Sequence, residues 1–270
     1  MMSEFARLRV LNIVGYVVMI VVNILANALP LNGLTTEYIS DVYPNLFVPA
    51  GFTFAIWGLI YLMLGVFVIY QARDLFRPQG EMPETNAIGY LFFLSAVLNA
   101  AWIFLWHYLQ VSLSLLVMIL LLATLISIHN RIRRIDAVNG PTKLRRYIVA
   151  RFPFSIYLGW ITVATIANVT AVLVHVQWDR LGLSEVFWTG LMLAVATCIT
   201  LAFIYTRRDA AYSLIVLWAF WGIISKRLGT EPVETSIVTL AGAGMTSIVV
   251  GLIWLALSRN KLKGKPSMVL

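Results

Sequence analysis

Cysteine is all but missing from this chain: Cys198 is the only one in 270 residues. A lone thiol excludes an internal disulfide or a multi-thiolate metal site, and it leaves the redox compartment open. Charge is scarce too. Asp, Glu, Lys and Arg make up 12% of the residues, about half the share of a soluble domain. The apolar runs hold almost none of these. A charge at the centre of a bilayer costs roughly 2.5–3.5 kcal/mol on insertion scales. Its absence argues against a proton relay, a voltage sensor or a charge-coupled ion transporter. Histidine is limited to His107, His129 and His175, each at the end of an apolar run. They read as interfacial histidines rather than a metal set. No acid/base pair, activated nucleophile or metal constellation emerges, so an enzyme is not expected.

Apolar residues dominate instead, at 60% of the chain, with a mean hydropathy of +0.86. About 20 apolar residues carry a helix across a bilayer core about 30 Å thick. Eight runs meet or approach that length: Leu8–Leu29, Gly51–Ala72, Ala87–Trp106, Val111–His129, Tyr147–Val176, Ser184–Tyr205, Ala210–Ile224 and Ser236–Leu257. The sequence therefore predicts an all-α integral membrane protein of eight transmembrane helices. Arg7 and Arg9 ahead of the first run imitate a signal peptide, but no small-residue cleavage motif follows, and the run is long enough to span.

The basic residues set the direction. With the N-terminus in the cytoplasm, Arg7, Arg9, Arg73, Arg77, the cluster from Arg131 to Arg151, Arg207, Arg208 and the group from Arg259 to Lys265 all fall on that side. Only Arg180, Lys226 and Arg227 fall on the other. Seventeen of the 20 basic residues are then inside, as the positive-inside rule requires, and both termini are cytoplasmic. The formal charge of +8 thus reads as an orientation signal and not as a nucleic-acid footprint. The expected setting is a prokaryotic plasma membrane, with membrane lipids as neighbours.

Between the first two spans runs an outer loop from Pro30 to Pro49 without Lys or Arg. It mixes turn residues with Leu31, Tyr38, Tyr43, Leu46 and Phe47, and is expected to fold over the helix ends as a lid.

Neutral polar and aromatic groups mark the candidate site. Trp57 and Tyr61 share a face of the second span, and Asn99 and Trp102 share one of the third. The fifth carries Pro153, Tyr157, Trp160 and Asn168, the last two expected to align across about two turns. By helical rise, Trp57 lies about 9 Å, and Asn99 and Asn168 about 12 Å, from the outer surface. Phe54, Tyr43 and Tyr157 are secondary candidates. A membrane-buried amide needs partners, so interhelical bonding competes with a ligand role for both asparagines. Trp106, Trp178 and Trp188 fit an interfacial belt. Aromatic walls with amides suit a flat, largely apolar small molecule.

These residues give the chain its resemblance to the tryptophan-rich sensory protein family, which includes the translocator protein or peripheral benzodiazepine receptor (TspO/MBR). The segment Pro49 to Tyr61 resembles the family's second helix, Leu98-Asn99-Ala-Ala-Trp102 its third, and Pro153, Trp160 and Asn168 its fifth. The resemblance covers residues 1 to about 178. It implies a five-helix ligand-binding core over 1–178, and a three-helix membrane extension over 179–270 without counterpart in the family. It further implies an outer pocket for porphyrins, sterols or similar ligands, and dimerisation. No cofactor is required; a porphyrin enters as ligand. The expected function is a membrane receptor, sensor or carrier. A small-solute or lipophile transporter is the alternative, and an enzyme modifying porphyrins or isoprenoids ranks below it.

Overall fold

The computed structural model describes residues 4–29, 31–76, 82–139 and 144–263. Pro30, Arg77, Lys143 and Lys265, used above, lie outside the described residues. Among the described residues the regular structure is entirely helical. The long helices are α1 (Glu4–Ala28), α3 (Ile56–Phe76), α5 (Leu91–His107), α6 (Val111–Asn139), α7 (Phe152–His175), α8 (Glu185–Ala202), α9 (Ala210–Leu228) and α10 (Thr235–Lys263). Two short helices, α2 (Thr36–Val42) and α4 (Pro83–Ile88), stand between them.

Seven stretches among the described residues are long and apolar enough to cross a membrane, and the chain is an integral membrane protein. Of the eight runs expected to span, seven reach that length and the third forms a shorter apolar helix. The third run, expected as one helix over Ala87–Trp106, is split into α4 and α5 at Gly89, whose φ is 56° and ψ −139°. Only glycine adopts that backbone without strain. What remains as α5 is a shorter apolar helix of 17 residues.

The seventh run is longer than expected. It begins at an Asp209 cap, whose carboxylate accepts the Tyr212 backbone N–H, and continues to Leu228. Lys226 and Arg227 therefore sit in its last turn, where the helix dipole favours cations. Pro153 is the second residue of α7. A π-helical stretch, Tyr147–Arg151, leads into it.

The chain forms two compact units: residues 1–45 with 54–178, and residues 46–53 with 179–270. The segment Leu46–Thr53, counted above with the N-terminal core, thus belongs to the C-terminal unit. In the first unit α6 packs on α5 and α7, α5 on α1, α1 on α3, and α3 on α7, so five helices close a circuit. Phe67, Phe92 and Phe154, from α3, α5 and α7, meet inside it at 5.1–6.1 Å between ring centroids.

In the second unit α10 packs on α8 and α9. The close approach rests on small residues: a Cβ on Gly244 would come within 2.7 Å of both Phe220 and Thr197. Segment 46–53 docks on the same unit. The Ala50 N–H donates to the Gly222 carbonyl at 2.9 Å, the Trp218 indole to the Thr53 carbonyl at 2.9 Å, and the Leu46 N–H to Glu185 at 2.9 Å.

Candidate functional site

Trp57 is the centre of the site, half-buried near the start of α3. Its ring stacks on Tyr61 at 5.3 Å and lies 6.1 Å from each of Trp102, Tyr157 and Trp160. Phe54 meets Trp160 edge-on at 6.0 Å. The circuit of helices makes this convergence: α3, α5 and α7 each turn one aromatic face inward, and offset or edge-on ring pairs of this kind are individually favourable. Trp102, Tyr157 and Trp160 are buried, whereas Phe54, Trp57 and Tyr61 remain partly open. Phe67, Phe92 and Phe154 form a further layer of rings along the same three helices.

An amide chain crosses the cluster. Asn23 of α1 donates to the Asn99 side-chain oxygen at 2.8 Å and accepts from the Tyr61 hydroxyl at 2.6 Å. Asn99 in turn donates to the Tyr157 hydroxyl at 3.0 Å. Both asparagines are buried. Two donors are left over: the indole N–H groups of Trp102 and Trp160 are buried without a hydrogen-bond partner. Such groups are rare in folded proteins and ask for a reason.

Seven of the nine candidate residues therefore gather: Phe54, Trp57, Tyr61, Asn99, Trp102, Tyr157 and Trp160. Asn168 does not join them. It is buried against α6, exchanging hydrogen bonds with Ser114 at 3.1–3.3 Å. The expected alignment with Trp160 fails on angle, since eight residues at 3.6 per turn leave about 80° between the side chains. Tyr43 stands one layer out. It contacts Trp106 at 6.2 Å and His175 at 5.8 Å, and Trp106 stacks on Trp102 at 5.7 Å. Burial pushes the Tyr43 phenol above its ordinary value, so it is protonated at neutral pH. Asn23 is the functional candidate the sequence reading missed. An asparagine inside an apolar run was the available signal.

The loop ahead of α3 has a definite anchor. Thr35 caps α2 by accepting the Tyr38 backbone N–H at 3.2 Å. His107 is fully buried beneath α2, with Nε2 3.0 Å from the Thr36 hydroxyl and Nδ1 3.2 Å from the Leu31 carbonyl. The Trp106 indole donates to the Thr36 carbonyl at 3.2 Å. His107 and Trp106 thus differ from the interfacial roles expected of them: both are internal fasteners of the loop. Tyr38, expected to pack inward, is exposed.

A membrane-embedded circuit of helices around a buried aromatic and amide cluster is the class of protein these features define. A family model described as TSPO-like protein matches residues 9–254, and the chain belongs to that family. The resemblance was expected to stop near residue 178. The match instead runs through α8, α9 and most of α10, so these helices lie within the family's extent. No curated protein and no solved structure matches the chain.

Proposed function

We propose that this protein is a membrane receptor, sensor or carrier that binds a flat, largely apolar ligand of the porphyrin or sterol kind beside Trp57. One observation carries the reading. Four rings surround Trp57, yet Trp57, Tyr61 and Phe54 stay partly exposed near two unpartnered indole donors. Packed rings offer dispersion and quadrupole contacts to a planar ligand, and a few placed polar groups fix its orientation. Membership of the TSPO-like family agrees with this role.

The test is titration of the detergent-solubilised protein with protoporphyrin IX, followed by tryptophan fluorescence. Saturable quenching is expected, with affinity falling about tenfold in Trp57→Phe and Asn99→Ala. Unchanged quenching and affinity in both variants would remove the site.

We further propose that α5 is the eighth crossing, with both termini and the basic clusters cytoplasmic. On a Cys198→Ser background, a membrane-impermeant maleimide should label Arg180→Cys in intact cells. Arg145→Cys should react only after permeabilisation. Equal labelling of both in intact cells would overturn the topology.

A further inference from the structure

Gly89 does more than split the third apolar run; it opens a recess. α5 packs on both α1 and α6. Continued as one helix toward Ala87, it would wall off the space between their ends. Instead the chain turns at Gly89, α4 packs on α6, and α5 starts only at Leu91. The recess left at this end has a volume of about 310 Å³.

Two opposite charges border it, Glu4 of α1 and Arg131 of α6. Neither is ion-paired among the described residues. Arg131 is held in place by one hydrogen bond, from Nη1 to the Ala87 carbonyl at 3.0 Å. A guanidinium has five N–H donors, so most of them remain for another partner. Phe5, Leu8, Tyr90 and Leu91 supply most of the remaining lining.

Depth identifies the layer of the membrane that meets the recess. The apolar run of α1 begins at Leu8, so Glu4 lies about 6 Å outside it at 1.5 Å per residue. Arg131 stands two residues, about 3 Å, beyond the run that ends at His129. The head-group layer of one leaflet is about 5–7 Å deep, and both charges fall within it. From the recess an exposed stripe runs along one face of α5: Tyr90, Leu94, Val97 and Phe104.

We propose that this recess binds a zwitterionic phospholipid whose head group carries a primary ammonium, of the ethanolamine kind. Arg131 receives the phosphate, Glu4 receives the ammonium, and the acyl chains follow the stripe on α5. The volume is at the small end for ligand sites, about 300–1,000 Å³, so it suits a head group and leaves the chains outside. A choline head group brings charge to Glu4 but no N–H donor. An anionic head group without an ammonium leaves Glu4 beside a like charge. The recess shares no residue with the cluster around Trp57, so the proposal stands or falls separately from the ligand bound there.

The test is native mass spectrometry of the full chain released from detergent micelles. It is titrated with phosphatidylethanolamine, phosphatidylcholine and phosphatidylglycerol carrying identical acyl chains. The first ethanolamine adduct is expected to form about fivefold more tightly than either other, the upper end for an exposed ion pair. Glu4→Gln should erase that preference, and Glu4→Lys should turn it toward phosphatidylglycerol, which is anionic. Arg131→Gln should weaken the ethanolamine adduct. Glu37→Gln, an exposed carboxylate of α2 outside the recess, should change nothing. Glu4 and Arg131 are exposed, so their substitution leaves the packed interior intact. Equal binding of the three lipids, an unselective annulus only, overturns the proposal. A preference that survives Glu4→Gln overturns it too. O-phosphoethanolamine, the head group without chains, should fail to compete at the lipid's own concentration; displacement there would overturn the lipid assignment in favour of a soluble ligand.

Discussion

Replacing Asn23 by leucine should be among the most damaging single substitutions in α1. Asn23 holds three groups: the Met19 carbonyl, the Asn99 oxygen and the Tyr61 hydroxyl. Two of these bonds join α1 to α5 and α3. Interhelical hydrogen bonds in membranes are worth about 0.6 kcal/mol on average and up to about 1.7. Loss of Asn23 also leaves the buried Asn99 oxygen without its donor, at about 1–3 kcal/mol for an orphaned group, a cost that partly overlaps the first. Together these give about 2–3 kcal/mol, or a fall in Tm of about 5–10 °C for a chain of this size. The control is Asn27→Leu, one helical turn away. Asn27 is exposed and donates only to the Asn23 backbone carbonyl, so its loss should cost under about 1 kcal/mol. Both substitutions raise helix propensity alike, which removes that factor from the comparison. The assay is thermal unfolding in one detergent at one scan rate, read by circular dichroism. If Asn23→Leu melts within about 2 °C of Asn27→Leu, the amide chain does not organise the bundle.

Two further outcomes follow from the geometry. Gly244→Val should loosen the second unit, because Phe220 and Thr197 occupy the space its side chain would need. Gly242→Ala, with nothing within 4 Å of the new carbon, should be neutral or stabilise by up to about 1 kcal/mol. Thermal melts rank the two, and a Gly244→Val protein as stable as Gly242→Ala would contradict the packing. His107→Leu removes both ring-nitrogen contacts to the loop at Leu31 and Thr36. Amide hydrogens in the Thr36–Val42 helix should then exchange at least about tenfold faster, an opening free energy lower by roughly one hydrogen bond or more. Exchange at the rate of the unaltered protein would show that His107 is not the fastener.

Much of the site could be read in advance because short helical spacings are forgiving. Trp57 and Tyr61 at i and i+4, and Asn99 and Trp102 at i and i+3, share a face whatever the helix packs against. Errors grow with separation. Over eight residues the 3.6 period has already turned Asn168 away from Trp160 toward Ser114. Asn23 was harder for a different reason. The first span holds Asn12, Asn23 and Asn27, and spacing within one helix does not say which meets a neighbour. That depends on α1 lying between α3 and α5, a tertiary fact. Asn12 did find a partner, the Gln71 oxygen at 3.0 Å, while Asn27 stays at the surface. Gly89 was ambiguous, because an isolated glycine in a helical pattern is tolerated as often as it breaks one. The pairing of segment 46–53 with Gly222 and Trp218 spans about 170 residues of sequence, beyond the reach of any local pattern.

The break at Gly89 has a consequence for the surrounding lipid. A helix of 17 residues rises only about 26 Å, against about 30 Å of hydrocarbon in an average bilayer. Leu94, Val97 and Phe104 on α5 are exposed, so on the eight-crossing topology proposed above acyl chains meet this short wall. Those chains must splay or compress beside it, at fractions of a kcal/mol per ångström of mismatch. The thickness of the host membrane thus becomes a physical variable acting on the very helix that carries Asn99 and Trp102.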